Sequence, residues 1–317
     1  MLAESPWFKT DIAEYNLGVL SLSQSLASEQ RVLELRELAD AAAEAAESLI
    51  SDGLSAAEAV IALLSQNSEP APTDGDIHKD NLAAVSLYVT ALSSSDRVVF
   101  ASLLVNSLRK RGFLLTESDF LSGGRGDEVV VYVKNKLADE AFDVFSEELD
   151  DPRVLYAKDF REAAHAVSGG KAEFCLLPLE ERGGVRIPSV SALLYSEDLK
   201  INSVTPVFGP DGGADMKYAL ISRHFSVPDI LSDSDRYFEF RLSGADSMAL
   251  SEIFLAASYF GASVYRINSA PHASDGRGED GLTVVLEGTG LDFTAMIVYL
   301  TVFLPSYIAV GIYDNIE

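Results

Sequence analysis

The 317-residue sequence predicts a multidomain protein of mixed α+β and α/β class. Three observations support this fold class. Apolar residues repeat at helical spacing through much of residues 1–120, short apolar runs alternate with helical segments from residue 129, and residues 235–316 follow the order strand, helix, strand, strand, helix, strand. We therefore expect a helical N-terminal module, a single α/β lobe with a mostly parallel sheet, and a small C-terminal βαββαβ domain.

The helical module is expected over residues 1–120. The segment VLELRELADAAAEAAESLI carries apolar residues at three- and four-residue steps, namely Val32, Leu35, Leu38, Ala42, Ala45 and Leu49. Gly53 ends this helix, and Ser55 with Glu58 forms the pattern of a capping box that opens a second helix. The remaining expected elements are a linker at 65–76 and helices at about 80–93 and 95–111. We interpret the module as a docking or dimerisation element.

The α/β lobe is expected over residues 128–228, after a second linker at 118–128. Its predicted elements are a strand at 129–133, a helix at 138–149, a strand at 153–157, a helix from Asp159 to Gly169, and then the segments KAEFCLLPL, SVSALLYSEDL, KINSVTPVF and MKYALISR. Asp159 stands at an N-cap position, and the glycines at 169 and 170 end that helix. Alternating strands and helices of this length predict a mostly parallel sheet.

The C-terminal domain is expected over residues 234–317. Its strands are predicted in RYFEFRLS, SVYRINSAP, LTVVLEG and YIAVGIYD, and its helices in SMALSEIFLAASYFG and DFTAMIVYLTVFLP. This βαββαβ order is the ferredoxin-like split arrangement. Both helices are strongly apolar, and we expect a second copy of the chain to cover them, which predicts a homodimer through this domain.

Charge and composition restrict the function classes. The formal net charge of −25 offers no basic face for nucleic acid phosphates or for anionic membrane surfaces. The sequence pattern predicts neither a secretory leader nor an apolar run of membrane-spanning length. Its single cysteine, Cys175, cannot form an internal disulfide, which suits a reducing compartment, and we predict a cytoplasmic protein. The four histidines, at 78, 165, 224 and 272, lack metal-ligand spacing, and no metal or other cofactor is expected.

The stretch KAEFCLLPLEERGGVRIPSVSALLYSEDLKINSV resembles a motif of prephenate dehydratases, in which a strand ends in Pro-Ile-Glu-Asn-Ser and a helix leads to an SDLKI strand. The matching positions are Pro178, Leu179, Glu180, Gly183, Ser189, Leu193, Leu194, Ser196, Asp198, Leu199, Lys200 and Ile201. The βαββαβ segment likewise resembles the ACT domain that follows the catalytic part of those enzymes. The resemblance implies one dehydratase-like lobe followed by an ACT-like regulatory domain.

The chain departs from the family pattern where the enzymes hold their substrate. Glu181 and Arg182 replace the Asn-Ser pair, and Lys134-Asn135-Lys136 replaces a glycine- and hydroxyl-rich loop. FGPDGGAD crosses where the family inserts a second lobe. Met216 stands where the family has its catalytic threonine, and methionine can neither donate nor accept the proton that a dehydration requires. The resemblance therefore implies a lobe without the catalytic residues.

Two groups of residues are candidate sites. A relict polar site at the loop ends of the sheet would comprise Lys134, Lys136, Glu180, Arg182 and Lys217, unless these are simply solvated loop charges. By resemblance to the ACT domain, a ligand would contact Ser247, Met248, Ala249, Leu250, Asn268, Ser269 and Pro271.

The leading functional hypothesis is a non-catalytic prephenate-dehydratase-like protein that dimerises through its ACT-like domain and senses an amino acid or organises a partner. An unusual active dehydratase of phenylalanine biosynthesis is the first alternative. A purely structural interaction protein is the second. Turnover of prephenate would distinguish the first alternative from the leading hypothesis. Retained amino-acid binding would distinguish the leading hypothesis from the second alternative.

Overall fold

The computed structural model describes residues 29–64, 77–121, 128–209, 214–242, 250–270, 281–304 and 307–316. The helices are α1 (Glu29–Ser51), α2 (Ala56–Leu64), α3 (Ile77–Thr90), α4 (Ser94–Lys110), α5 (Glu117–Phe120), α6 (Lys136–Ser146), α7 (Phe160–Ser168), α8 (Pro188–Ser196), α9 (Leu250–Tyr259) and α10 (Thr294–Phe303). The strands are β1 (Val129–Tyr132), β2 (Arg153–Tyr156), β3 (Phe174–Glu181), β4 (Val185–Arg186), β5 (Lys200–Phe208), β6 (Ala214–Ser222), β7 (Asp235–Leu242), β8 (Ser263–Ala270), β9 (Gly281–Thr289) and β10 (Ile308–Asp314). No helix among these residues is both long and apolar enough to cross a membrane.

The chain divides into two compact units that interleave along the sequence. One comprises Met1–Phe120, Met248–Val264 and Asp292–Tyr307, and the other comprises Leu121–Ser247, Tyr265–Leu291 and Ile308–Glu317. The predicted division assigned residues 234–317 to one domain. In the structure, helices α9 and α10 of that segment belong to the helical unit, and most of its strand residues belong to the unit that contains the lobe.

The helical unit is built around small and apolar residues. Helix α1 buries an alanine stripe that includes Ala39, Ala42 and Ala46, and this smooth face packs against α4. The predicted capping box at the start of α2 is confirmed, because Glu58 Oε2 accepts the Ser55 backbone N–H at 2.9 Å while Ser55 Oγ accepts the Glu58 N–H at 3.2 Å.

Helix α10 is buried nearly all round. Its buried side chains include Met296, Ile297, Leu300 and Phe303, and it packs against α2, α4 and α5. Helix α9 also packs against α4. The two apolar helices of the C-terminal segment are thus covered by helices of the same chain. We expected a second copy because the apolar surface of these helices needs cover, and the same chain already provides that cover.

The second unit contains a single sheet, ordered β2-β1-β3-β6-β5-β10-β7-β9-β8 in the described part of the chain, with β4 paired to β3. Strands β2, β1 and β3 are parallel, whereas β6 is antiparallel to both β3 and β5. The predicted fold class, with N-terminal helices, an α/β segment and C-terminal strands, is confirmed, and the C-terminal strands continue the sheet of the lobe.

Strand β3 alternates between two hydrophobic cores. Leu176 faces a core that contains Phe145 of α6, whereas Cys175 and Leu177 face a core that contains residues of α7 and α8. Cys175 is fully buried, and the loss of solvent raises the pKa of its thiol far above the ordinary range. The Asp159 N-cap of α7 is present as predicted, with Asp159 Oδ1 accepting the Glu162 N–H at 2.8 Å.

The C-terminal strands keep the ferredoxin-like order β10-β7-β9-β8, and β7 is antiparallel to both of its neighbours. Strand β10 also pairs in parallel with β5 through Gly311 and Ile201, which joins these four strands to the lobe. A Cβ atom on Gly311 would lie 2.5 Å from the Ile201 carbonyl oxygen, so the junction requires glycine at this position.

Candidate functional site

The five residues of the predicted relict site lie at one end of the sheet, where β1 and β3 end and β6 begins. Lys134 follows β1, and its Nζ atom lies 4.7 Å from the centroid of the Tyr156 ring. Lys136 opens α6 and pairs with Glu140 one helical turn later, at 3.4 Å. Both lysines are exposed, and their contacts are local.

The other three residues of this group have different environments. Arg182 is exposed in the turn between β3 and β4. Lys217 is half-buried on β6 opposite Glu180, and its Nζ atom lies 3.5 Å from Asn315 Oδ1. Glu180 is only 4% exposed, so it is not a solvated loop charge. The structure brings the five backbones to one rim without joining their side chains in a single site.

Glu180 belongs instead to a buried charge cluster, which consists of Glu180, Arg186, Glu239 and Arg266. Arg266 Nη1 donates to Glu180 Oε1 at 2.5 Å, and Arg186 Nη2 donates to Glu239 Oε2. Arg186 Nη1 lies 4.0 Å from Glu180 Oε1, which links the two pairs. Tyr313 donates its hydroxyl to Glu239 Oε2 at 2.9 Å. Two acids and two arginines thus form a formally neutral group.

The turn between β3 and β4 brings Arg186 over this cluster. Gly183 and Gly184 both have positive φ angles, of 87° and 77°, which residues with a side chain rarely adopt. A Cβ atom on Gly184 would lie at ordinary contact distance, 3.4 Å, from Arg266 Nη2, so the positive φ angle and not lack of space favours glycine here. The positive φ angles of the two glycines thus shape the turn that leads to Arg186.

The electrostatics of the cluster fix its charges. Burial acts to lower the pKa of Arg186, but the negative charges of Glu239 and Glu180 outweigh it and hold the pKa above its ordinary value. Burial and the Glu239 charge raise the pKa of Tyr313. Glu180 Oε2 and Arg186 Nη1 are buried without a hydrogen-bond partner among the described residues. Each arginine of the cluster thus faces a carboxylate of the same chain.

The predicted amino-acid site can be located only in part. Ser247, Met248, Ala249 and Pro271 lie outside the described residues. Leu250 is the half-buried first residue of α9, in the helical unit, whereas Asn268 and Ser269 lie on β8, in the unit that contains the sheet. The two halves of the predicted site therefore belong to different compact units.

A pocket of about 370 Å³ opens at the other end of the sheet. It is lined where β3 and β5 begin and where β6 ends, by residues that include Glu148, Glu173, Phe174, Asn202, Leu220 and Ser222. Asn202 is an extra residue in β5, since Ile201 pairs with Ile221 and Ser203 with Leu220. Such a bulge redirects a side chain, and bulges are frequent beside functional sites.

Two buried polar side chains of the pocket bond to each other and to the backbone. Asn202 Nδ2 donates to Ser222 Oγ at 2.9 Å, and Asn202 Oδ1 accepts the Ser226 N–H at 2.9 Å. Ser222 Oγ also accepts the His224 N–H and donates to the His224 main-chain carbonyl. The Ser222 hydroxyl thus bonds to the main chain of His224 and not to its imidazole, so the pair lacks the geometry of an activated nucleophile.

Two carboxylates flank this polar wall. Glu173 is 9% exposed, and its side chain has no hydrogen-bond or ion-pair partner among the described residues. Glu148 lies on the exposed rim, where Ser203 Oγ donates to its Oε2 at 3.3 Å. Partial loss of solvent, together with repulsion from Asp314, raises the pKa of Glu148 despite that hydrogen bond. In the described part of the chain, no three or more His, Cys, Asp or Glu side chains are grouped to hold a metal ion.

Sequence reasoning missed Arg186, Glu239 and Arg266 of the charge cluster and Glu148 and Glu173 of the pocket. A signal existed for Glu239, because a charge between Phe238 and Phe240 in an apolar strand predicts a buried partner. The sequence could not identify this partner, because Arg186 is 53 residues away from Glu239.

No family model matches the sequence, and no curated protein matches it significantly. Among solved structures, the prephenate dehydratase from Streptococcus mutans is similar over 60% of this chain and 99% of its own, with 12% identity and a TM-score of 0.48. GqqA, described as a novel type of quorum quenching acylase, covers 60% of this chain and 96% of its own, with 18% identity and a TM-score of 0.44. The prephenate dehydratase of Arthrobacter aurescens in complex with L-Phe covers 58% of this chain and 89% of its own, with 12% identity and a TM-score of 0.40. With TM-scores below 0.5, no activity is carried over from these structures.

Proposed function

We propose that this chain is a non-catalytic prephenate-dehydratase-like protein, whose ACT-like segment serves in dimerisation and in sensing an amino acid. The charge cluster is the observation that carries the proposal. A dehydratase needs cations that are free to hold the two carboxylates of prephenate, and an acid for the leaving hydroxyl. Arg186 and Arg266, at the sheet end where such chemistry would be expected, are neutralised by Glu239 and Glu180 of the same chain.

Two further observations support the absence of catalysis. Met216 lies opposite Glu181 at the start of β6, in the place where the resembling enzymes have their threonine. Lys134 and Lys136, two of the exposed cations of the same rim, lie over an aromatic ring and beside a helix carboxylate. The buried thiol of Cys175 suits action in a reducing compartment such as the cytoplasm.

Two measurements on the purified full chain test the proposal. The first follows phenylpyruvate formation from prephenate, with an active prephenate dehydratase as positive control, and we expect no rate above the uncatalysed background. The second measures thermal stability with each of the twenty amino acids, prephenate and chorismate. A ligand at about 100 times its Kd stabilises the native state by about 2.7 kcal/mol, so an effector is expected to raise the Tm measurably.

Turnover of prephenate would overturn the non-catalytic assignment. A Tm that no amino acid changes would remove the sensing role and leave an assembly protein.

A further inference from the structure

The pocket at the start of β3 has no part in the function proposed above. It lies at the opposite end of the sheet from the charge cluster, and its volume of about 370 Å³ is at the lower end of the range of about 300–1,000 Å³ for small-molecule sites. Phe174 and Leu220 give it an apolar wall. The pocket is therefore large enough for a small organic molecule with an apolar part.

The hydrogen-bonding groups of the wall decide the chemistry of the ligand. The Ser222 hydroxyl has one donor and two acceptor positions, and all three are used within the protein. Both ends of the Asn202 amide are bonded as well, to Ser222 and to the Ser226 N–H. These groups shape the wall, and the Asn202 amide keeps one N–H hydrogen and one lone pair that these bonds do not use.

The negative charge in the pocket belongs to two carboxylates. Glu173 is nine-tenths buried, lines the pocket, and has no partner among the described residues. Glu148 adds a second carboxylate at the rim, held by one hydrogen bond from Ser203. Ionised carboxylates only accept hydrogen bonds. The side-chain capacity that remains in the pocket thus favours a ligand that donates hydrogen bonds and carries positive charge.

The cation beside this wall is already bound. The Lys200 ammonium group lies 5.2 Å from the centroid of the Phe225 ring, and it donates to Asp198 Oδ1 at 2.6 Å. His224, which also lines the pocket, contributes a half-buried imidazole. Neither group has a recorded hydrogen bond or ion pair to Glu173 or Glu148 in the described part of the chain.

We propose that this pocket binds the primary ammonium group of a small organic cation, with the ammonium between Glu173 and Glu148 and the apolar part of the ligand against Phe174 and Leu220. An ammonium group supplies three donors and one positive charge, which match two acceptor-only side chains. The site stands on its own contacts and does not depend on the non-catalytic assignment.

Isothermal titration of the full chain with three probes of similar shape tests the charge requirement. The probes are 2-phenylethylamine, 2-phenylethanol and phenylacetate, and we expect binding of the amine alone. 1-Hexylamine, which carries the same ammonium group on an aliphatic chain, is expected to bind as well. Failure of both amines to bind, or equal binding of the alcohol, would overturn the proposal.

Variants then locate the site. Glu173→Gln and Glu148→Gln are each expected to weaken amine binding by about tenfold or more, because each replaces a charge-assisted hydrogen bond by a neutral one. Glu181→Gln changes an exposed carboxylate at the other end of the same strand and is expected to leave binding unchanged. Glu148 is on the rim, so its variant remains informative even if Glu173→Gln impairs folding. Unchanged affinity in the Glu148 variant would overturn the assignment.

The same variants separate this site from an amino-acid effector site. A free amino acid carries a carboxylate, which the two glutamates repel. An amino acid whose effect on Tm survives both substitutions therefore binds elsewhere. In that case amine binding and amino-acid sensing succeed or fail independently.

Discussion

Glu239 places a full charge in the middle of an apolar strand, where it is 1% exposed. Burying a carboxylate costs several kcal/mol unless a close partner and further hydrogen bonds compensate. Here the partner is Arg186, and Tyr313 adds a hydrogen bond at 2.9 Å. The stability of this part of the protein consequently depends on the completeness of the pair and not on either charge alone.

We predict that Glu239→Gln destabilises the protein by about 3–5 kcal/mol, because Arg186 then keeps a buried charge whose closest remaining carboxylate lies 4.0 Å away. Urea unfolding followed by circular dichroism measures the change. Glu181→Gln, an exposed carboxylate on the same sheet, is the matched control and should change the unfolding free energy little.

The double variant Arg186→Met with Glu239→Leu removes both charges and is expected to recover most of the loss, since apolar replacement of a buried pair is often neutral. A single variant as stable as the parent would show that the pair is not needed for folding.

For individual residues, the sequence predicts the position along a strand better than the contact partner. Glu180 was expected at the end of β3 and is found there, but its partner Arg266 is 86 residues distant and belongs to a strand at the other edge of the sheet. Such a contact depends on how the whole sheet bends. Periodicity and local motifs carry no information about it.

The buried helix α10 begins without a side-chain cap from its own N-cap residue, Phe293. Glu117, which is buried on the short helix α5, accepts the Phe293 N–H through Oε1 at 2.6 Å. A carboxylate at this end of a helix satisfies an otherwise unpaired donor and interacts favourably with the helix dipole. A residue distant in sequence thus performs the capping function.

We predict that Glu117→Ala lowers the unfolding free energy by about 1–3 kcal/mol, because it leaves a buried N–H without its charged acceptor. Glu117→Gln keeps an acceptor but loses the charge, so its loss should be smaller. Thermal and urea unfolding measure both. Glu37→Ala, on the exposed face of α1, serves as control. If the alanine variant were no less stable than the control, capping by Glu117 would be excluded as a source of stability.

Local signals predicted the elements well. The capping box at Ser55 and the N-cap at Asp159 both form, because each depends on residues three positions apart. The region 118–128 was expected to be a linker throughout, yet α5 extends to Phe120. The burial of Glu117 against α10 explains this difference, since a tertiary contact stabilises a turn of helix that local composition does not favour.

For the whole molecule, the sequence predicted the order of elements but not their distribution between units. The ferredoxin-like strand order is present, and the C-terminal strands continue the sheet of the lobe through the contact between Gly311 and Ile201. Helices α9 and α10 pack with α4. Apolarity showed that these helices needed cover, but an apolar surface does not specify whether another subunit or the same chain covers it.

The homodimer remains a prediction, and we expect its interface at a sheet edge. Strand β8 stands last in the order of the described strands and is therefore an edge strand of the described sheet. An eight-residue edge strand is a template for pairing with a second copy, whereas β2 at the opposite edge has four residues. We therefore expect two chains to associate along β8.

Sedimentation equilibrium of the intact protein at micromolar concentration should give twice the monomer mass. Backbone N–H groups of successive strand residues point to opposite edges of the strand, and proline lacks this N–H. Of the variants Asn268→Pro and Ser269→Pro, one therefore removes an N–H that points toward the neighbouring strand, and the other removes an N–H that points toward the outer edge. The variant that keeps the parental Tm is the one that lost an N–H on the outer edge of β8. This variant should be monomeric. A monomeric parent, or a dimer that survives in this variant, would contradict association along β8.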